Sequence, residues 1–170
     1  KSKFNFAEYG DGKIGVIATE GTIGSGLYTK YIKSLREDAV IYGKACPLFV
    51  PLVEEGLWQD PVTVEIARRY LTELIDLDID TLILGCTHYP LLYNLLDSIT
   101  DYKLNLIDSG REAALGAKAL LEEKDMLSGW RKIGGMKFFV TDKEEGFARL
   151  GKEFLGEELS DVTRVEIEEL

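Results

Sequence analysis

Residues 80–92 read DTLILGCTHYPLL, and this stretch decides the fold. Its first five residues are almost continuously apolar, which is typical of a central parallel strand that is buried on both faces. A Gly-Cys-Thr-His-Tyr-Pro run follows the apolar residues. Apolar side chains then recur at helical spacing, at Leu91, Leu92, Leu95 and Leu96. The stretch therefore predicts a strand at 80–84, a loop with polar side chains, and a helix.

The same order of strand, loop and helix recurs along the chain. Short apolar runs predict further strands at 13–18, 39–43, 104–107, 137–140 and 162–167. Strands that are joined by helical crossovers pair in parallel. The sequence therefore predicts an α/β fold with an open, parallel, Rossmann-like sheet and helices on both faces.

Helix starts and turns are also visible. Asp60 followed by Pro61 is a typical helix start. Segment 19–26 is rich in Gly and Thr and predicts a turn, and segment 44–56 contains two prolines and predicts a loop. Two capping boxes predict further helix starts, at Ser109 with Glu112 and at Thr141 with Glu144.

Composition limits the class of partner and the compartment. The chain has 170 residues, with 30 acidic and 20 basic side chains and a net charge of −10. A negative field repels phosphate backbones and anionic lipids, which argues against nucleic acid and membranes as partners. Residues 1–12 contain no apolar signal-peptide core, and two cysteines are too few for a disulfide framework. We therefore expect a cytoplasmic protein.

Ligands of open α/β sheets bind beyond the carboxyl ends of the strands. The third predicted strand ends at Gly85-Cys86-Thr87-His88, just before a helix. A helix N-terminus favours thiolate over thiol, and its free amide groups can hold a carboxylate. His88, the only histidine of the sequence, lies two positions from Cys86 and can carry a proton. The pattern indicates thiolate chemistry beside an anionic ligand.

Simpler roles for these side chains stay open. Cys86 can be a small buried apolar residue, and Thr87 can serve only as a helix cap. A zinc site needs three or four protein ligands and Cys-x-His offers two, so we expect no metal. Cys46, which precedes Pro47, is interpreted as structural.

Two glutamates follow the second predicted strand, Glu54 and Glu55. A glutamate in a charged loop is usually solvated surface. One of the two can instead reach the site and orient His88, and the sequence does not choose between them.

Several segments together resemble glutamate racemases. The run LILGCTHYPLL at 82–92 is similar to the second-cysteine motif of that family. Segments 14–26, 45–56 and 107–113 match its Thr-rich turn, its Cys-Pro loop and a later Ile-Asp-Ser-Gly run in the same order. The similarity covers nearly the whole chain. Aspartate and hydantoin racemases share the fold but usually vary the GCTHYP run.

The resemblance implies two similar α/β domains that face each other across a cleft. Residues 13–109 then correspond to the second domain, and residues 110–170 correspond to a return segment that completes the first domain. The first domain of the family carries an Asp-Ser-Gly motif and a first catalytic cysteine in a Cys-Asn-Thr run, and neither has a counterpart in this sequence. We therefore expect one half of a site, and we expect the isolated chain to be inactive.

The resemblance also implies a reaction, namely racemisation of L- and D-glutamate by two opposed thiols without a cofactor. By the same resemblance, this reaction supplies D-glutamate for peptidoglycan and thereby contributes to cell shape. By motif, Cys86 is the acid/base for one face of the substrate, assisted by His88 and Glu54. Thr87, His88, Thr19 and Thr22 match substrate-binding positions. A homodimer is the assembly that the family suggests.

Two other readings compete with the racemase. One is an enzyme of the same fold that uses a single cysteine, such as an arylmalonate-type decarboxylase or an isomerase. The other is a non-catalytic binding module. The match over the whole GCTHYP run weighs against the single-cysteine enzyme, whereas the acidic surface and the missing half leave the binding module open.

Overall fold

The computed structural model describes residues 12–129 and 134–166. The chain divides into two compact units, Lys1–Met126 and Leu127–Leu170. The division falls inside segment 124–135, which joins two predicted strand–helix repeats. The predicted partition into 13–109 and 110–170 stays a prediction.

The first unit contains four parallel strands and six α-helices in its described part. The strands are β1 Lys13–Ala18, β2 Val40–Ala45, β3 Thr81–Leu84 and β4 Asn105–Asp108. The helices are α1 Glu20–Gly24, α2 Leu27–Leu35, α3 Phe49–Glu54, α4 Pro61–Asp76, α5 Tyr93–Ile99 and α6 Ser109–Glu123. A single 3₁₀ turn, Tyr89–Leu92, precedes α5. The strand order is β2-β1-β3-β4, and every pair is parallel. The predicted fold class is confirmed.

The core lies on both faces of this sheet because side chains alternate along each strand. On one face Ile14 and Val16 of β1 cluster with Ile32 of α2. On the other face Gly15 leaves room for Ile79, whose Cδ1 atom would lie 2.7 Å from a Cβ at this position, and Leu74 of α4 packs beside it, with its Cδ1 atom 3.5 Å from the same point. Helices α2 and α4 therefore cover opposite faces of the sheet, so the central strand β3 can be buried between them.

The second unit contains a two-stranded sheet in its described part. Strands β5 (Phe138–Val140) and β6 (Val162–Arg164) form a separate parallel pair joined by helix α7, Glu144–Leu155. The predicted strand 162–167 ends early, at Arg164, and its last position lies outside the described residues. The predicted cap at Thr141 is wrong, because Lys143 precedes α7 and makes no side-chain cap hydrogen bond.

Three other local predictions were wrong in detail. Segment 19–26 contains helix α1, because the Thr19 hydroxyl accepts a hydrogen bond from the Thr22 N–H and caps it. Segment 44–56 contains helix α3. Pro51 is tolerated there because the first N–H groups of a helix have no intrahelical acceptor. Asp108, one residue before the predicted cap Ser109, caps α6 by accepting from the N–H groups of Gly110 and Arg111.

No helix among residues 12–129 and 134–166 has both the length and the apolar character that are needed to cross a bilayer.

Asp80 ties the amino ends of the strands together. One carboxylate oxygen accepts from the N–H groups of Gly12 and Lys13, at 2.9 and 3.0 Å. The other accepts from the Thr81 hydroxyl at 2.7 Å. Its main chain donates to the Lys13 carbonyl and accepts from the Asn105 N–H, so three neighbouring strands meet at this residue.

We predict that Asp80→Asn lowers the free energy of unfolding by about 2 kcal/mol, because an amide group cannot accept on both sides and leaves a donor unpaired. The matched control is Asp78→Asn, which removes only an exposed ion pair with Lys13 and costs about 0.5 kcal/mol or less. Urea denaturation measures both. Equal losses in the two variants would contradict this role of Asp80.

Candidate functional site

The strand register brings the carboxyl ends of all four strands to one edge. Ala18 of β1 is level with Ala45 of β2, and Leu84 of β3 is level with Ile17 of β1 and Asp108 of β4. The chain leaves β1 toward β2 on one side and returns to β3 on the other. In open α/β sheets the usual ligand crevice lies beyond the carboxyl ends of the two strands at such a reversal, which here are β1 and β3.

The loop after β3 starts in close contact with β1. The Gly85 N–H donates to the Ile17 carbonyl at 2.8 Å. A Cβ at Gly85 would lie 3.0 Å from that carbonyl oxygen, 3.1 Å from the Ala18 Cβ and 3.2 Å from a ring carbon of Tyr28. A larger residue would crowd these three atoms, two of which belong to β1, so glycine lets the loop start this close to the strand.

Three predicted site residues come together in this loop and one joins them from α3. The Cys86 sulfur lies 4.0 Å from His88 Nδ1, and the Thr87 hydroxyl lies 3.4 Å from the same nitrogen. On the other side of the ring, His88 Nε2 lies 3.4 Å from Glu54 Oε1. The imidazole thus connects a thiol to a carboxylate.

Helix α3 decides which glutamate reaches the histidine. Glu54 is its last residue, and Val53 beside it is fully buried, which holds this turn against the core. Glu55 follows as the exposed residue that ends the helix. The choice that the sequence left open is therefore made by the direction of α3.

The helix after Cys86 differs from the prediction. Its first turn is the 3₁₀ turn Tyr89–Leu92, in which the Tyr89 N–H donates to the Cys86 carbonyl at 3.2 Å. Thr87 does not cap it, because His88 occupies the cap position without a side-chain cap bond. Cys86 is partly exposed, so it is not sealed in the core.

Thr19 and Thr22 form a second polar group, at the end of β1. Their hydroxyls lie 3.1 Å apart, and both side chains are partly exposed. They follow the strand adjacent to β3 in the sheet. The two threonines and the Cys86 loop therefore follow neighbouring strands at the same edge of the sheet.

The second cysteine of the sequence is placed very differently. Cys46 is fully buried after β2, and its N–H donates to the Ala18 carbonyl at 2.9 Å. Burial raises the pKa of the Cys46 thiol to about 12, against a smaller lowering by the nearby Lys44 ammonium group. Cys46 is therefore a structural thiol.

Tyr89 is a residue whose role the sequence did not reveal. It is fully buried, and its phenol donates to the Cys46 carbonyl at 3.0 Å. Burial raises the pKa of the Tyr89 phenol well above its ordinary value, and the Cys46 and Cys86 thiols add to the rise. Its position inside the GCTHYP run was a signal, but the run does not show where the hydroxyl points.

Ser109 was also assigned a different role. Its hydroxyl donates to the Leu84 carbonyl at 3.2 Å, and so it holds the end of β3 instead of capping α6.

Within residues 12–129 and 134–166, no group of three or more His, Cys, Asp or Glu side chains is arranged to hold a metal ion.

Comparison with curated proteins finds similar glutamate racemases, two of which illustrate the match. One from Geobacter metallireducens is 42% identical over 157 residues, which are 92% of this chain and 58% of that protein. One from Thermoanaerobacter sp. is 41% identical over 156 residues, which are 92% of this chain and 59% of that protein. The chain thus spans under two thirds of the length of these relatives.

Solved structures agree with this similarity. The glutamate racemase of Francisella tularensis in complex with D-glutamate has a TM-score of 0.85 at 32% identity, over 96% of this chain and 61% of that one. The enzyme of Thermus thermophilus in complex with beta-chloro-D-alanine has a TM-score of 0.79 at 41% identity, over 96% of this chain and 60% of that one.

The Asp/Glu/Hydantoin racemase family model matches residues 3–117, which include all four strands of the first unit and every predicted site residue. This match covers more than half of the sequence. The chain therefore belongs to the Asp/Glu/hydantoin racemase family.

Proposed function

We propose that this chain carries one half of the active site of a cytoplasmic, cofactor-independent glutamate racemase. The observation that carries the proposal is the linked set Cys86, His88 and Glu54 at the β1–β3 crevice. The similarity to glutamate racemases, one of them solved with D-glutamate, supports glutamate as the substrate. The D-glutamate product would serve peptidoglycan synthesis and hence cell shape, as the family resemblance implies.

Cys86 exchanges the proton on one face of the substrate. Its thiolate removes the α-proton, so the Cα–H bond breaks, an S–H bond forms, and the electron pair stays on the substrate. A second thiol on the opposite face then gives its proton to Cα. In the reverse direction the Cys86 thiol is the donor. Two opposed groups are needed because a single base tends to return the proton to the face from which it came.

His88 and Glu54 assist the thiol. Nδ1 of His88 faces the Cys86 sulfur, so the ring can take the thiol proton and give it back. Glu54 at Nε2 stabilises the imidazolium that forms and orients the ring. Thr87, whose hydroxyl also contacts Nδ1, lies where it can bind a substrate carboxylate together with the main-chain amide groups of the loop.

Thr19 and Thr22 bind the substrate from the other side of the crevice. Hydroxyl groups 3.1 Å apart can donate to carboxylate oxygens. Donors that are fixed in advance can stabilise the negative charge that develops on the substrate when the α-proton leaves. This placement supports a mechanism in which protein groups replace a cofactor.

The second thiol is supplied from outside the chain, since Cys46 is buried and structural. The chain spans 58% to 61% of the similar proteins, so a further portion of a longer protein can provide it. Helix α6 supports the existence of such a portion: none of its 15 residues is buried, although it carries Leu115, Leu120 and Leu121. Residues 110–170 then complete the first domain, and the whole protein forms a homodimer.

A single-cysteine enzyme of the same fold is the second candidate. It is favoured by one observation, that only one of the two cysteines is accessible. Release of carbon dioxide from disubstituted malonates, without racemisation of glutamate, would support it in place of the racemase.

We predict that Cys86→Ser, in the chain supplied together with the portion that its relatives carry beyond the match, lowers racemisation in at least one direction about 100-fold or more. A hydroxyl is far less acidic than a thiol and cannot exchange the α-proton. Circular dichroism of L- and D-glutamate solutions follows turnover. An unchanged far-UV spectrum of the variant is the control for folding, and full activity in both directions would refute the proposal.

We predict that the 170-residue chain alone does not racemise glutamate, because no opposed thiol is present. Incubation with each enantiomer should leave its optical activity unchanged. Calorimetry with D- and L-glutamate measures binding separately. Turnover by the isolated chain would contradict the two-thiol mechanism, and binding without turnover even in the complemented protein would support a binding module.

We predict that the free energy of unfolding falls as the pH rises from 9 toward 12, partly because of Cys46. Its pKa is 9.0 ordinarily and about 12 when folded, so the unfolded chain loses this proton first. The contribution is complete below pH 9 and declines above it by up to about 1.4 kcal/mol per pH unit. Cys46→Ala should show a shallower decline in urea titrations at pH 9 to 10.5, and an unchanged slope would contradict the assignment.

A further inference from the structure

The loop that follows β2 is joined to the loop that follows β3 by a buried tyrosine. The Tyr89 phenol reaches the Cys46 carbonyl, which also accepts from the Phe49 N–H at 3.2 Å. Phe49 is the first residue of α3. One carbonyl oxygen therefore receives a donor from the segment after Cys86 and a donor from the start of the helix that ends at Glu54.

Ring packing strengthens this junction. Phe49 contacts the Tyr89 ring edge to face, with centroids 5.2 Å apart, and it contacts Tyr70 of α4 in the same geometry at 5.2 Å. Tyr89 and Phe49 are both fully buried. Tyr70 also accepts a hydrogen bond from the Leu48 N–H at 3.3 Å. The start of α3 is thus held from two sides.

Small movements at this junction are enlarged at Glu54. Five residues of helix separate Phe49 from Glu54, which is about 7 Å along the axis. A tilt of about 10° at the helix start would move Glu54 by on the order of 1 Å. The distance between Glu54 Oε1 and His88 Nε2 is 3.4 Å, so such a movement would break the contact.

The hydroxyl, and not only the ring, is needed for this geometry. A phenylalanine at position 89 would fill nearly the same volume but would leave the Cys46 carbonyl with one donor fewer. Burial keeps the phenol protonated, as the direction of its pKa shift indicates, so it acts as a permanent donor. The bond therefore ties the segment after Cys86 to the carbonyl on which the first N–H of α3 also rests.

We infer that Tyr89 is a positioning residue: its bond to the Cys46 carbonyl holds α3 at the orientation that places Glu54 against His88. The inference rests on the proposed function, in which that pair assists Cys86. Tyr89 touches neither the substrate nor the reacting proton in this role.

The test is Tyr89→Phe in the complemented, full-length protein, compared with Glu54→Gln and with the double variant. We expect Tyr89→Phe to lower kcat about tenfold, with KM nearly unchanged, since a misplacement of about 1 Å is costly at a reacting centre. In a Glu54→Gln background the same substitution should have little further effect. Fully additive losses would overturn the inference, because they would show that Tyr89 does not act through Glu54.

A second readout does not depend on turnover. The imidazole NMR signals of His88, assigned by their loss in His88→Asn, should move in Tyr89→Phe toward their positions in Glu54→Gln. The matched control is Thr81→Val, which removes another buried hydroxyl hydrogen bond at the opposite edge of the same sheet. It should leave the His88 signals and kcat unchanged.

The outcomes separate this inference from the proposed function. Full activity of Cys86→Ser would refute the racemase proposal itself. Inactive Cys86→Ser, together with wild-type kcat and His88 signals in Tyr89→Phe, would refute the role of Tyr89 alone. A loss in Tyr89→Phe that Thr81→Val reproduces would assign the effect to general stability and would overturn the inference as well.

Discussion

The candidate site depends on how closely the backbone after β3 approaches the end of β1. Gly85 donates to the Ile17 carbonyl and leaves no room for a side chain between itself, that carbonyl and Ala18. This hydrogen bond extends the pairing of β3 with β1 by one residue, and the chain leaves the sheet directly after it. Cys86 consequently follows directly after a residue that is hydrogen-bonded to the sheet, and no long loop intervenes.

The two cysteines show how environment, and not residue type, sets chemical role. Cys46 and Cys86 follow strands that end at the same edge of the sheet. Cys46 is buried in the core, where burial keeps its thiol protonated, and its carbonyl accepts a hydrogen bond from the Tyr89 phenol. Cys86 turns toward the crevice, where a histidine lies 4.0 Å away. The buried cysteine thereby supports the segment that carries the partly exposed one.

Local sequence patterns predicted most of the helices and strands. They failed where a side chain had more than one possible hydrogen-bond partner. Strand β1 and the start of α4 at Pro61 were predicted correctly, since apolar runs and an Asp-Pro cap are properties of neighbouring residues. Helix α3 was missed because the two prolines of segment 44–56 indicated a loop, although Pro51 lies in the first turn of the helix and Pro47 precedes it. Ser109 was assigned to a cap that Asp108 makes, because the hydroxyl has a better-placed acceptor on β3.

By itself, the sequence determined the α/β class, the strand-end position of Cys86 and His88, and the family to which the motif belongs. These follow from periodicity and from residues that are close along the chain. Only the tertiary structure decided that Glu54 and not Glu55 meets His88, that Cys46 is sealed in the core, and that Tyr89 joins the two loops. The physical reason is that these contacts connect residues more than thirty positions apart, and strand register and helix direction exist only once the sheet has formed.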